Sequence, residues 1–443
     1  MYSEHRRRFQ ELLRAERAAA VIPTASHKVR NHDAEYRFRP ESDFWYLTGF
    51  EEPDCCLVLL PGLGADERPR SVLFLRDKDK ERELWTGRRL GVAEAPARLG
   101  VDEARPIEKL WHDLPKLLEN HERILYRTGV DPARDQKFLE ATTRMRSAAR
   151  GNVLPPAEIA DVAKTLHELR LFKSPGELEK MRRAAAITRE AHIEAMRRSR
   201  PGVNEAEIDA LLEYTFRRNG CTGAAYTPIV AGGANACILH YVENKRPLED
   251  GDLLLIDAGA EFDHYACDVT RTFPVNGRFS ADQRAVYSIV LAAQKAAIAH
   301  CRPGVSFVSV HERALEVLVR GLVDLGLLAG PTEKELAGEG YKRFYMHRTS
   351  HWLGLDVHDC GAYARDGASR ILAPGMVLTI EPGLYLAPDD DTLDPRWRGI
   401  GVRIEDDVLV TAAGCEVLTA DIPKDVDEVE AVCQARALAT TGR

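Results

Sequence analysis

Gly251-Asp-Leu-Leu-Leu-Ile-Asp257-Ala-Gly259 returns later in the chain as Gly375-Met-Val-Leu-Thr-Ile-Glu381-Pro-Gly383. In both, a glycine turn launches an apolar strand that ends in a carboxylate followed by x-Gly. A second echo precedes each copy. Arg200-Pro-Gly-Val203 and Arg302-Pro-Gly-Val305 each follow a long helical stretch. Two matches in the same order imply a duplicated unit folded about a pseudo-twofold axis. That symmetry brings Asp257 and Glu381 to related places in one site.

Working outward from Asp257, Tyr265 to Phe273 reads as a second strand, with Glu261-Phe-Asp-His264 as the hairpin turn between. A turn centred there sets Asp257 across from Asp268, on one face, with Cβ atoms roughly 5 Å apart. An arbitrary aspartate pair is more often a turn residue or a surface group. Here Asp257 ends a run of four aliphatics, so its strand is buried, and two buried carboxylates facing each other repel. The second half adds Glu381 after Val377-Leu-Thr-Ile380, and Glu405 within Val402-Arg-Ile-Glu-Asp-Asp-Val-Leu-Val410. Four carboxylates on four apolar strands call for divalent cations to neutralise them. Met346-His-Arg-Thr-Ser-His-Trp-Leu-Gly-Leu-Asp-Val-His-Asp359 supplies His347, His351 and His358, and Ile238-Leu-His-Tyr241 supplies His240. Oxygen ligands with one imidazole form a hard donor set, which favours Mn²⁺ with Fe, Co or Zn as alternatives.

The wider chain fits a soluble two-domain protein. Its 443 residues exceed one ordinary core. The net charge of −8 argues against a nucleic-acid partner, and no apolar run reaches membrane-spanning length. The N-terminus lacks the apolar core of a secretory signal, and Glu4 to Arg17 reads as an amphipathic helix. Nine scattered cysteines without a Cys-x-x-Cys spacing fit reduced thiols and a cytoplasmic home. Leu57 to Leu60 and Val72 to Leu75 read as buried strands of an α/β N-terminal domain. Leu154-Pro-Pro-Ala157 begins the passage between domains. A restart at Ser174-Pro-Gly-Glu177, with Ser174 as cap and Glu177 closing a capping box, divides the chain into 1–173 and 174–443.

Asp257, Asp268, His351, Glu381 and Glu405 match in order and local sequence the five ligands of the creatinase/aminopeptidase "pita-bread" metallopeptidases. Ser42-Asp-Phe-Trp-Tyr-Leu-Thr-Gly-Phe50, Trp85-Thr-Gly-Arg-Arg-Leu-Gly91, His351-Trp-Leu-Gly-Leu-Asp-Val-His358 and Gly399-Ile-Gly-Val-Arg-Ile-Glu-Asp406 resemble its aminopeptidase P branch. The resemblance implies a C-terminal pita-bread domain behind a smaller α/β domain. It implies two metal ions, with Asp257 on one, Asp268 and Glu405 bridging, and His351 and Glu381 on the other. The activity it implies is release of the first residue from peptides with proline second, by a metal-bridged hydroxide, in a homodimer or homotetramer. Prolidase, acting on Xaa-Pro dipeptides, is the alternative, and a metal-free peptide-binding relative a more distant one. By the same resemblance, His240, His358, Glu381 and Arg403 are catalytic, and His347, Tyr363, Tyr385, Arg370 and Trp85 bind substrate. Two positions depart from the family pattern: Arg348 and Cys267 both stand where glycine is usual.

Overall fold

The computed structural model describes residues 1–63, 67–147 and 153–435. They form two compact units, Met1–Arg170 and Leu171–Arg443. In the first, a mixed six-stranded sheet runs Glu103–Pro106, Arg70–Leu75, Cys56–Leu60, Ala18–Pro23, Arg123–Leu125, Glu158–Ala160. The two apolar runs read from the sequence pair antiparallel, with Leu57 opposite Leu73. The amphipathic N-terminal helix spans Tyr2–Ala15 and buries Phe9 and Leu13. Leu154-Pro-Pro does not begin the passage out of this unit. Beyond it, Glu158–Ala160 pairs parallel with Arg123–Leu125 as the outer strand of the sheet. Pro155 and Pro156 interrupt the chain, but Ile159 still finds an apolar face to cover.

The C-terminal unit opens with the helix Pro175–Arg198, where Glu177 accepts from the Ser174 N–H at 2.8 Å as the reciprocal half of the capping box. Both sequence echoes are structural. Pro175–Arg198 and Glu205–Arg218 pack as one helix pair, Ala281–His300 and Phe307–Asp324 as the other. Gly202 and Gly304 lie in the turns between them with φ of +90° and +87°, a conformation that costs a side-chain-bearing residue. The Gly202 N–H donates to Leu248 O, and the Gly304 N–H to Leu372 O. Leu248 and Leu372 each stand three residues before the strand-launching glycine.

Alternation then decides where the acids point. In Leu253–Asp257, Leu254 and Ile256 enter the apolar cluster built on the first helix pair, beside Ile187, Ile208 and Phe216. Asp257 therefore faces the other way, with Leu255. In Val377–Ile380, Leu378 and Ile380 enter the cluster of the second helix pair with Val290 and Leu318, so Thr379 and Glu381 face away from it. Val402 and Ile404 join that cluster, which turns Arg403 and Glu405 to the same side as Glu381. One rule, applied to three strands, collects the carboxylates on the faces that the helices leave uncovered.

The hairpin register differs from the sequence expectation. Asp263 and His264, with φ of +50° and +65°, make a two-residue turn closed by Phe262 and Tyr265. Asp257 consequently pairs with Thr270, and Asp268 lies diagonally, two residues along. A one-residue move of the turn shifts the partner by two, so both aspartates keep the shared face. Gly259 sits beside this diagonal. A Cβ added there would lie 1.6 Å from the Cys267 carbonyl oxygen, so only glycine lets the strands close.

Candidate metal centre

Asp268, His351 and Glu405 each offer a ligand atom within 4.8 Å of the others. His351 Nε2 stands 3.3 Å from Asp268 Oδ2 and 3.5 Å from Glu381 Oε1. The other ring nitrogen, Nδ1, is 3.0 Å from the Trp352 carbonyl oxygen and donates to it. Against burial, hydrogen bonding to Asp268 and the charge of Glu381 push His351 up to about 9, so Nε2 carries a proton here, and it is this nitrogen, with Nδ1 held by Trp352, that a cation would take in the proton's place. Asp257 is joined to the set by the Tyr226 hydroxyl, 2.6 Å from Asp257 Oδ1 and 2.5 Å from Asp268 Oδ1. A phenol has one proton, so it cannot satisfy two ionised carboxylates at once.

Arg403 is almost fully buried and donates from Nη2 to Asp257 Oδ2 at 2.7 Å, from Nε to Thr270 Oγ1 at 3.1 Å and from Nη1 to the Tyr385 oxygen at 3.0 Å. The Thr270 hydroxyl in turn donates to Glu405 Oε2 at 2.7 Å. The Tyr385 hydroxyl donates to His347 Nε2 at 2.8 Å, and His347 Nδ1 donates to the Arg348 carbonyl at 2.8 Å. His347 is thus neutral and engaged at both nitrogens. Burial, reinforced by Arg403, pushes its pKa down to about 3.

The carboxylates show a deficit of positive charge. Burial pushes Glu381 up to about 7 against the pull of His351 and Arg403. Burial and then the neighbouring Asp268 drive Glu405 well above the carboxylate range. Asp257 is raised by burial despite Arg403. Burial also works against the Asp268 charge, but hydrogen bonding to His351 holds that group below its ordinary value. One guanidinium and one imidazolium leave four buried acids two charges short, a deficit that divalent cations can supply. The donor set, oxygens with a single oriented imidazole, suits such an ion. These residues fit a metal.

The acids line a cavity of about 1000 Å³, drawn entirely from the C-terminal unit. Its wall includes His240, His347, His358, Tyr363 and Arg403 from the sequence reading. His358 sets its ring against His351 at 4.4 Å between centroids. Tyr363 stacks on Trp352 and accepts from the Trp352 N–H. Two expected substrate contacts, Tyr385 and Arg370, are not on the wall. Tyr385 is buried behind the wall as the link between Arg403 and His347. Arg370 is buried with its guanidinium over the Phe172 ring. Trp85 belongs to the N-terminal unit, on the helix Lys80–Thr86, and is 86% exposed. Tyr226 and Thr270 were not foreseen. Thr270 shares the strand parity of Asp268, which marks it in retrospect. Tyr226 carries no signal, being 31 and 42 residues from the acids it joins.

Known proteins agree with this geometry. The model of metallopeptidase family M24 matches residues 179–412, and that of the aminopeptidase P N-terminal domain matches residues 2–126. The chain is 45% identical over 418 residues to the Xaa-Pro aminopeptidase of Escherichia coli (strain K12), covering 94% of each protein. It is 38% identical over 423 residues to Xaa-Pro aminopeptidase 3 of Homo sapiens, covering 94% of this chain and 81% of that one. Among solved structures, aminopeptidase PepP of Pseudomonas aeruginosa superposes with a TM-score of 0.94 at 48% identity, covering 98% of both chains. Zinc-substituted E. coli aminopeptidase P in complex with product gives 0.94 at 43%, covering 98% of this chain and 99% of that one. A buried acid cluster with one oriented histidine, on a duplicated strand-and-helix unit that the M24 model spans, makes this chain a divalent-metal-binding member of metallopeptidase family M24 with an aminopeptidase P N-terminal domain.

Proposed function

We propose that this chain is a metal-dependent aminopeptidase that releases the first residue of peptides with proline in second position. The observation that carries it is the convergence of Asp257, Asp268, His351, Glu381 and Glu405 at one cavity in a chain of this family. The relatives named Xaa-Pro aminopeptidase support the substrate class.

Two divalent ions are proposed, Mn²⁺ first, with Fe, Co or Zn as alternatives. Asp257 would hold one, His351 and Glu381 the other, and Asp268 and Glu405 both. When bound, such a pair supplies a water acidified towards neutrality and polarises a carbonyl. The chain's residues do the rest. An Xaa-Pro bond has no N–H to grip and a fixed ring, so the substrate is held by shape against Tyr363 and the neighbouring wall. Glu381 takes a proton from the attacking water and passes it to the departing proline nitrogen. His240 and His358, both exposed to the cavity, donate to the oxygen that gains charge. Arg403 keeps Asp257 ionised and, through Tyr385, fixes His347.

The functional division proposed is 1–173 and 174–443. The side-by-side exposure of Leu84 at 85% and Trp85 at 86% supports assembly into a dimer or tetramer. Nine free cysteines fit a reducing, cytoplasmic setting. Among the described residues, no helix is long and apolar enough to cross a membrane. The test is hydrolysis of an Xaa-Pro-Yaa tripeptide before and after chelation, with Mn²⁺ added back, in wild type and in Glu381→Ala. Activity should vanish on chelation, return with metal, and be absent in the folded variant. Turnover by Glu381→Ala refutes the assignment, and cleavage confined to Xaa-Pro dipeptides converts it to prolidase.

A further inference from the structure

The charged side chains on the cavity wall are the four acids, Arg403 and Arg348. Arg403 is committed to Asp257, Thr270 and Tyr385. Arg348 is exposed on the wall, and among the described residues no carboxylate lies within ion-pair reach of its guanidinium. Its surroundings offer no counterion either. His311, from the helix Phe307–Asp324, directs Nδ1 to Thr349 Oγ1 at 2.8 Å, and the Tyr345 hydroxyl bonds the same threonine at 2.6 Å. Burial, with Arg348 nearby, pushes His311 down to about 4, so the imidazole is neutral. Phe307 and Val308 complete that side of the wall as apolar surface. The backbone is pinned, because the Arg348 carbonyl accepts from His347 and Thr349 O accepts from the Glu381 N–H at 2.8 Å. The guanidinium is therefore presented from a fixed base, one residue beyond a histidine that lies 3.7 Å from Glu381. With the four acids committed to the metal site, the guanidinium of Arg348 is a positive charge on the cavity wall that no carboxylate among the described residues balances.

We propose that Arg348 is a specificity residue that selects peptides carrying an acidic side chain close to the scissile bond. This rests on the peptidase reading above. The pairing is partly solvated, so its expected size is a roughly two- to five-fold gain in kcat/KM, weakened by salt.

The experiment uses the full metal-loaded chain and two pairs of C-terminally amidated peptides, one differing by Glu or Gln at the first position and one at the third. The readout is the Glu/Gln ratio of kcat/KM, which cancels any general loss of activity. The ratio should exceed one in at least one pair at low ionic strength. It should fall towards one in Arg348→Gln and, for wild type, in about 0.5 M salt. Ratios of one in both wild-type pairs overturn the proposal, as does a preference that survives in Arg348→Gln. If that variant does not fold, the wild-type salt response decides alone, and a salt-independent ratio overturns the proposal. If no peptide is cleaved, the peptidase reading fails separately, and calorimetric binding of the same pairs still reads the charge preference.

Discussion

His192 makes the chain acid-sensitive in a way that can be isolated. It is fully buried in the helix Pro175–Arg198, and Nε2 donates to the Ala258 carbonyl at 2.9 Å, next to Asp257. Nδ1 is buried with no hydrogen-bond partner among the described residues. A proton there would bury an unpaired cation, and burial lowers the pKa from 6.5 to about 4. The unfolded chain takes up this proton near pH 6.5 and the folded chain only near 4. Stability is therefore unaffected above pH 7, falls as pH drops from 6.5 towards 4, and levels off below. A gap of about 2.5 units is worth about 3 kcal/mol in full, and about 2 kcal/mol has been lost at pH 5. His192→Gln keeps an N–H for Ala258 and removes the titration. Urea unfolding of chelator-treated wild type and variant at pH 7.5 and pH 5.0 gives the two differences. Wild type should lose about 2 kcal/mol more than the variant. Chelation keeps metal loss out of the comparison, and other groups cancel between the two proteins. Equal losses refute the reasoning, because they mean that His192 is not neutral in the fold.

Tyr226→Phe removes the one proton shared by Asp257 and Asp268 and should weaken metal binding about 10- to 100-fold while the fold persists, read by competition with a chromogenic chelator. Gly259→Ala drives a methyl group into the Cys267 carbonyl. It should cost several kcal/mol or prevent soluble expression, whereas an unchanged melting temperature would show that the strands can part.

The carboxylates were legible because strand alternation is a local property. Leu254 and Ile256 must face the helices, so Asp257 cannot, and the same holds for Glu381 and Glu405. The hairpin register was legible in its parity but not in its partner. That partner depends on which two residues accept positive φ, and Asp263-His264 does not announce this as Asn-Gly would. Contacts made across the fold left no trace in the chain. Tyr226 meets its acids only after the strands assemble. Tyr385 and Arg370 were expected from the family resemblance alone, and both are buried outside the cavity lining. Pro155 and Pro156 made the passage between domains read as beginning too early, since a strand can resume after a break when its neighbour, here Arg123–Leu125, presents a free edge.

The repeat has a consequence for how the centre fails. Asp257 and Asp268 come from the first copy, and Glu381 and Glu405 from the second, with His351 ahead of them. The three ligand atoms that lie within 4.8 Å of one another, from Asp268, His351 and Glu405, are therefore drawn from both copies. A cation bound by donors of both copies would act as a rivet through two plates: prying the copies apart would dismantle its site, and without it the acids of the two copies would face each other unneutralised. Metal release and the opening of this seam should be one event, and whatever grips the cleft from both sides also guards the ion.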